Sequence, residues 1–160
     1  MKIVYQGSPG AYSHLAAKKI YPKSEFISCN TFEDCFKNCF ENEDYKTIIP
    51  VENSIAGRVA DIQYLINKYK LQIYAEHFQE IKHNLMILKD NNIKNVKSVR
   101  SHSQAISQCQ KLINQNKFEP IIAADTAGSA KYISDKKIIN EAAIASELAA
   151  KIYNLKIVKK

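Results

Sequence analysis

The chain alternates short apolar runs with helical patterns along almost its whole length, and this alternation is its strongest constraint on the fold. The first part predicts strand, helix, strand and helix in turn, over Lys2–Gln6, Ala11–Tyr21, Glu25–Ser28 and Thr31–Glu41. Thr31, followed three residues later by Asp34, is typical of a capping box. Repeated strand–helix units indicate mainly parallel sheets covered by helices, so the predicted class is α/β.

The alternation breaks once, near the middle of the chain. After a strand at Tyr45–Val51 and a helix at Gly57–Lys68, two strands follow with no helix between them, at Leu71–Phe78 and Asn84–Lys89. This break predicts two α/β lobes, residues 1–74 and 75–160, the second including a connection back to the first. Strands then alternate with helices again, over 98–100, Gln104–Asn114, Pro120–Ala124, Thr126–Ser134, Ala142–Ala145, Glu147–Tyr153 and Leu155–Val158.

Composition excludes several classes of protein. The 160 residues are 46% hydrophobic, but no apolar run approaches the roughly 20 residues of a membrane span. The start, MKIVYQG, lacks the apolar core of a signal peptide, so a cytoplasmic location is expected and a membrane partner is not. The net charge is +7, but only Arg58 and Arg100 are arginines and the lysines are scattered. Scattered lysines favour a solvated surface over nucleic-acid binding.

The four cysteines, at positions 29, 35, 39 and 109, form no CxxC pair. Cys35 and Cys39 are spaced to share one helix face with Phe32, Phe36 and Phe40. This pattern favours reduced core residues over a metal site.

Four predicted strand ends carry similar polar residues. They are Gly7–Ser13, Glu52–Ser54, Ser101–Gln104 and Asp125–Ser129, and each is predicted to open a helix. Ligands of open α/β sheets bind beyond the carboxyl ends of strands, and helix N-termini attract anions. Two such ends from each lobe suit a ligand with two carboxylates in a cleft between lobes. The alternative is that these residues only cap helices.

The same strand ends hold the best candidates for acid–base chemistry. Glu52 is interpreted either as a general acid or as a structural residue that caps a turn or pairs with a lysine. His102 has the best position of the four histidines, because it lies at a strand–helix junction. His77 and His83 are more typical of partly buried, satisfied side chains, and His14 lies on a helix. No phosphate-binding loop, dinucleotide fingerprint or nucleophile elbow is present in the sequence.

Six motifs together resemble the prephenate dehydratase family, in family order and over nearly all of the chain. They are YQGSPGAYSHLAA (Tyr5–Ala17), IPVENSIAGRVAD (Ile49–Asp61), EHFQEIKHNLM (Glu76–Met86), SHSQAISQC (Ser101–Cys109), DTAGSA (Asp125–Ala130) and AAIASELAAKIYNLKI (Ala142–Ile157). The resemblance implies two lobes like those of type II periplasmic binding proteins. It also implies loss of carbon dioxide and water from prephenate to give phenylpyruvate, a step toward phenylalanine, with no metal or organic cofactor.

The resemblance also implies which residues contact prephenate. The substrate-binding candidates are Ser13, Asn53, Ser54, Ser101, Thr126, Ala127 and Gly128. Ala127 and Gly128 would offer backbone N–H groups. The candidates for catalysis are Thr126, Glu52 and His102, and for the last two a structural role stays open.

The end of the chain differs from the family pattern. Members continue with a strand carrying Thr-Arg-Phe and often with a regulatory ACT domain, whereas this sequence stops at Lys160. Weak activity or none is therefore expected. The alternatives are a non-catalytic module that binds prephenate or another dicarboxylate, a basic nucleic-acid-binding protein, and a structural subunit that pairs through an open sheet edge as a homodimer.

Overall fold

The structure is a computed structural model that describes residues 1–159. The chain divides into two compact units: unit 1 comprises Met1–Gly7 and Tyr12–Glu80, and unit 2 comprises Ser8–Ala11 and Ile81–Lys160. The short segment Ser8–Ala11 therefore belongs to unit 2, although unit 1 surrounds it in sequence. None of the helices in the described residues is long and apolar enough to cross a membrane.

Unit 1 is built on a three-stranded parallel sheet. Its elements are β1 (Lys2–Gln6), α1 (Tyr12–Ile20), β2 (Glu25–Cys29), α2 (Phe32–Glu41), β3 (Tyr45–Ile48), a hairpin of β4 (Glu52–Asn53) and β5 (Gly57–Arg58), and α3 (Ile62–Tyr69). The strand order is β2-β1-β3, so β1 lies at the centre. Ile3 and Val4 of β1 are fully buried, and Phe36, Ile62 and Leu65 form a core cluster under α2 and α3.

The predicted capping box of α2 is confirmed. The Thr31 hydroxyl accepts the Asp34 N–H at 3.0 Å, and the Asp34 carboxylate accepts the Thr31 N–H at 3.1 Å. Two N–H groups that the first helical turn would leave without partners are therefore satisfied locally, which explains why the helix begins where the sequence indicates.

Unit 2 is a five-stranded mixed sheet with helices on both faces. Its elements are β6 (Asn84–Leu88), a 3₁₀ turn (Ile93–Asn95), β7 (Ser98–Ser101), α4 (Ser103–Gln108), α5 (Gln110–Gln115), β8 (Glu119–Ile122), α6 (Thr126–Lys136), β9 (Glu141–Ala145), α7 (Glu147–Ile152) and β10 (Leu155–Lys159). The order is β10-β6-β9-β7-β8, with β7 parallel to β8 and β9, and β6 antiparallel to β9 and β10.

Neighbouring residues of β9 point into two separate cores. Ala142 and Ile144 pack in the cluster that contains Ile113 of α5, whereas Ala143 and Ala145 pack in the cluster that contains Ile133 of α6. Successive side chains of a strand face opposite sides of the sheet. A strand buried on both faces therefore needs a continuous apolar run, which is what this part of the sequence supplies.

Helix α6 is held against the sheet by an aromatic and ionic cluster. The Arg100 guanidinium of β7 lies 4.3 Å from the centre of the Tyr132 ring on α6, and its Nε donates to Glu141 Oε2 of β9 at 2.8 Å. The cluster joins two neighbouring strands to α6 and is only partly exposed, so it helps to locate the helix on which the main unit 2 candidates lie.

Three predicted elements differ from the structure. Residues 71–83 form no strand within the described chain, and Phe78 is 89% exposed, so the predicted strand at Leu71–Phe78 lacks both a ladder partner and a buried face. The predicted helix at Gly57–Lys68 begins only at Ile62, because Gly57 and Arg58 pair with β4. The predicted helix at Gln104–Asn114 is present as two helices that meet at Cys109.

All four cysteines are free thiols, which for Cys35 and Cys39 agrees with the prediction of reduced residues. Cys35 is fully buried, and burial holds the pKa of its thiol far above the ordinary value; burial also raises the pKa of Cys39 to about 11. Because the thiolate is the reactive form, such pKa values make both residues poor nucleophiles. Phe40 is 63% exposed and so lies outside the core in which it was predicted.

The burial of His14 is expected to make unit 1 sensitive to acid. Its ring stacks on Tyr5 at 4.6 Å between centroids and contacts Phe26 at 5.2 Å, and the side chain is buried. Burial, assisted by the positive charge of Lys18, lowers the pKa of His14 in the folded chain. The unfolded chain therefore takes up the proton first as pH falls, so this contribution to stability is complete above about pH 6.5 and declines below it.

We expect His14→Gln to flatten the pH dependence of unfolding. Urea denaturation of the native chain at pH 7.5, 6.5 and 5.5 should show stability falling with pH, and the variant should fall less steeply. Burial also lowers the pKa of His83, which therefore contributes to the pH dependence of both proteins. For this reason the test compares the slope of stability against pH in the variant with that in the native chain. Equal slopes in the two proteins would contradict the assignment to His14.

Candidate functional site

The unit 1 candidates lie on α1 and in the β4–β5 hairpin. Asn53 Oδ1 accepts the N–H groups of Ile55 and Ala56, both at 2.9 Å. This pair of bonds closes the turn and leaves the amide Nδ2 as the donor of Asn53 toward a ligand. The prediction that Glu52–Ser54 opens a helix is wrong, because the side chain of Asn53 directs the backbone into a hairpin instead.

Ser54 and Ser13 supply hydroxyl groups in unit 1. Ser54 is exposed in the hairpin turn, and Ser13 is half-buried in the first turn of α1. No hydrogen bond in the described chain joins Ser13 to the hairpin. The structure therefore places Asn53 and Ser54 together, and Ser13 on a separate element.

Glu52 lies directly opposite Arg58 in the hairpin register and is exposed. The sequence left a general acid and a structural residue as alternatives for it. Its exposed position beside a strand partner of opposite charge fits a modest cross-strand contribution to the hairpin. Its catalytic role stays a prediction.

The unit 2 candidates cluster at the N-terminus of α6. Asp125 is the N-cap: its Oδ1 accepts the Gly128 N–H, and its backbone carbonyl accepts the Ser129 hydroxyl at 2.8 Å. Among the described residues, the N–H groups of Thr126 and Ala127 have no such acceptor, as expected at the start of a helix. These two N–H groups and the Thr126 hydroxyl form the unit 2 donor set.

The N–H group of Gly128 already has an acceptor within the fold. This group was predicted to be offered to the substrate, but it is bonded to Asp125. A Cβ at this position would lie 2.8 Å from Asp125 Oδ2, so the missing side chain leaves space for the capping carboxylate. Any contact of Gly128 with substrate stays a prediction that the N–H group does not support.

Ser101 is also engaged within the fold. Its side chain is completely buried, and its hydroxyl donates to the Ile144 carbonyl of β9 at 2.6 Å. This bond joins β7 to β9 by a side chain in addition to the backbone ladder. The contact of Ser101 with substrate stays a prediction. In this structure its hydroxyl donates to the Ile144 carbonyl.

His102 is the N-cap of α4, and the geometry fixes its tautomer. Its Nδ1 accepts the Gln104 N–H at 3.3 Å, so the proton of the neutral ring lies on Nε2. The half-buried side chain therefore presents an N–H donor at the carboxyl end of β7. This geometry is compatible with a proton donor at His102, and that role stays a prediction.

Two hydrogen bonds at this end of unit 2 are not predicted from the sequence. The Ser8 hydroxyl donates to Asp125 Oδ2 at 3.2 Å, and the Ser146 hydroxyl donates to the Gly10 carbonyl at 2.5 Å. The only signals available were the serine before an acidic helix start at Glu147 and the two glycines of the Gly7–Gly10 turn. Neither signal reveals that Ser8–Ala11 belongs to unit 2.

The fold and these strand ends define an α/β protein with hydroxyl and N–H donors beyond its strands. A family model described as prephenate dehydratase matches residues 3–160. The chain belongs to the prephenate dehydratase family.

Curated relatives and solved structures agree with that assignment. The chain is 36% identical over its whole length to arogenate dehydratase/prephenate dehydratase 2, chloroplastic, from Arabidopsis thaliana, and covers 42% of that protein. It is 32% identical, over 99% of its length, to a bifunctional N-acyl-homoserine lactone acylase/prephenate dehydratase from Komagataeibacter europaeus, of which it covers 56%. The chain thus spans about half or less of the length of these relatives.

Two solved structures share the fold. One, described as GqqA, a novel type of quorum quenching acylases, is 31% identical, with a TM-score of 0.93 over 99% of this chain and 58% of its own. The prephenate dehydratase of Staphylococcus aureus has a TM-score of 0.82 over 99% of this chain and 60% of its own, and at 24% identity it supports the fold alone. The predicted α/β class is confirmed.

Proposed function

We propose that this chain carries out the prephenate dehydratase reaction, the decarboxylating dehydration of prephenate to phenylpyruvate in phenylalanine biosynthesis. The observation that carries the proposal is the family match over residues 3–160. The free donors at the N-terminus of α6 add chemical support, because prephenate is an anion with two carboxylates.

In unit 2 we assign the binding of one carboxylate to Thr126 and Ala127. Their two N–H groups and the Thr126 hydroxyl lie in the first turn of an eleven-residue helix. Free N–H groups and the helix dipole stabilise a negative charge at that position. Asp125 carries a negative charge nearby. Its carboxylate accepts hydrogen bonds from the Gly128 N–H and the Ser8 hydroxyl, which stabilise that charge.

In unit 1 we assign anion contacts to Asn53 and Ser54 of the hairpin and to Ser13 of α1. The Asn53 amide is oriented by its own turn, so its Nδ2 donor is held in place before any ligand binds. Preorganised donors lose less entropy on binding than mobile ones. Neutral donors suit a carboxylate that must later leave as carbon dioxide, because they bind it without a fixed counter-charge.

The reaction needs one proton and no oxidant. The ring carboxylate leaves as carbon dioxide, its bonding electron pair enters the ring, and the ring hydroxyl leaves as water after receiving a proton. Among the candidates, His102 presents Nε2–H, Thr126 presents a hydroxyl, and Glu52 is the carboxyl group. Formation of the aromatic ring supplies the driving force, so positioning and one donor are sufficient.

A direct assay tests the proposal. We expect the purified chain to convert prephenate to phenylpyruvate, followed by absorbance in alkali, at a rate proportional to protein concentration and above that of prephenate alone. Arogenate is assayed in parallel, by release of carbon dioxide, since relatives carry that substrate in their names. The measured rate also tests the sequence-based expectation that the chain has weak activity or none.

A non-catalytic binding module is the alternative outcome. Calorimetric binding of prephenate without any product would select it and reject the enzyme. If prephenate neither binds nor reacts, both functions are rejected for this chain.

We also propose a cytoplasmic location. We further propose that the chain has no nucleic-acid partner, because the basic residues are mostly scattered lysines. A homodimer through a sheet edge is part of the same proposal: within residues 1–159 the outer edge of β3 has no ladder partner. Light scattering at the mass of one 18.2 kDa chain would reject the dimer.

A further inference from the structure

The segment Ser8–Ala11 is bound by the N-cap residues of two different helices of unit 2. The Ser8 hydroxyl donates to Asp125, the N-cap of α6, at 3.2 Å. The Gly10 carbonyl accepts the hydroxyl of Ser146, the N-cap of α7, at 2.5 Å. Each N-cap side chain therefore does two things: it caps its own helix, and it holds this segment.

The segment Ser8–Ala11 is closely packed against α7. A Cβ on Gly10 would lie 2.7 Å from the Ala149 Cα atom of α7, so the backbone is in direct contact with that helix. Ala11 packs against the core cluster beneath α6 and α7, and Ser146 is 1% exposed. The Ser8 hydroxyl thus reaches Asp125 from a segment whose own place is set by buried contacts.

We propose that Ser8 is a positioning residue for the anion-binding turn of α6, an inference that rests on the proposed function for the identity of the anion. The Asp125 carboxylate is held at both oxygens, Oδ1 by the Gly128 N–H and Oδ2 by the Ser8 hydroxyl. Two bonds from different segments prevent the carboxylate from rotating and set the geometry of the first helical turn.

The position of the Asp125 charge makes this bond relevant to an anionic ligand. Asp125 immediately precedes Thr126 and Ala127, whose N–H groups are assigned to a substrate carboxylate. A mobile carboxylate there competes for those N–H groups and repels the incoming anion. Hydrogen bonds to a charged oxygen are stronger than neutral ones, so the Ser8 hydroxyl is well suited to hold Oδ2 away.

The test compares Ser8→Ala with a matched control, Ser134→Ala. Ser134 also lies in unit 2, on α6 itself, and its hydroxyl donates to the Tyr153 carbonyl at 2.7 Å. It lies eight residues after Thr126, about 12 Å along the helix. Both variants lose one serine hydroxyl bond, but only the first one affects Asp125.

We expect Ser8→Ala to raise the KM for prephenate, or the Kd if the chain binds without turnover, by about 5- to 10-fold. Its kcat should change little, Ser8→Thr should restore binding, and Ser134→Ala should lower the unfolding midpoint without changing KM. Amide hydrogen exchange at Gly128, measured by NMR, should be faster in Ser8→Ala than in Ser134→Ala.

Unchanged exchange at Gly128 in Ser8→Ala would overturn the proposal, and so would faster exchange with unchanged substrate affinity, which leaves Ser8 a structural role only. If the unmodified chain does not bind prephenate, the proposed function fails by itself. The exchange comparison then still accepts or rejects the positioning of α6 by Ser8, because it needs no ligand.

Discussion

Gly10→Ala is expected to lower the free energy of unfolding by about 2–4 kcal/mol. Two costs combine at this position. Gly10 has φ +96, a conformation that an L-residue adopts only with strain, and an added Cβ would lie 2.7 Å from the Ala149 Cα. The clashing atom belongs to helix backbone, so the contact is relieved only by moving α7 or the segment.

Gly57→Ala is the matched control for this prediction. Gly57 also has a positive φ, +79, but no atom lies within 4 Å of its would-be Cβ. The control therefore carries the backbone strain without the close approach, and about 1 kcal/mol is expected. Both variants are measured by urea denaturation with a common m-value. Equal losses in the two would show that the contact with Ala149 contributes nothing.

The fold was predictable to the extent that its signals are local. The α2 capping box and the apolar run of β9 lie within a few residues of sequence, and both were interpreted correctly. The strand expected at Leu71–Phe78 shows the limit. Alternating residues fit a strand, but a strand is stabilised by its neighbours, and within residues 1–159 this segment has no ladder partner.

The same limit applies to the candidate site. The sequence identifies residue types that can donate hydrogen bonds, but not whether their donors remain available. The Ser101 hydroxyl is engaged by Ile144, which is 43 residues away, and the Gly128 N–H is engaged by Asp125. Asn53 combines a local signal with a visible outcome, because its turn bonds orient a remaining donor.

The seating of Ser8–Ala11 in unit 2 has no sequence signal at all. Its two anchors are 117 and 136 residues away in the chain, at Asp125 and Ser146. The strand–helix pattern predicts only that a turn joins β1 to α1. That Ser8–Ala11 belongs to unit 2 depends on side-chain hydrogen bonds between residues far apart in the sequence.

Thr126→Val is expected to lower kcat/KM for prephenate by about 100-fold. Valine matches threonine in shape and keeps the β-branch at the first position of α6, so it removes the hydroxyl donor and little else. The Thr126 hydroxyl has no hydrogen-bond partner among the described residues, and its loss therefore breaks no bond within the fold. The unfolding midpoint should change little.

Thr126→Ser is the control that keeps the hydroxyl, and its kcat/KM should stay within about threefold of the unmodified chain. How the Thr126→Val loss divides between kcat and KM identifies the role of the hydroxyl. A loss mainly in KM means that it holds a carboxylate, whereas an equal loss in kcat and kcat/KM means that it acts on the leaving hydroxyl in the transition state. If the valine and serine variants have the same activity, the Thr126 hydroxyl has no part in the reaction, and the backbone N–H groups alone remain as the unit 2 donors.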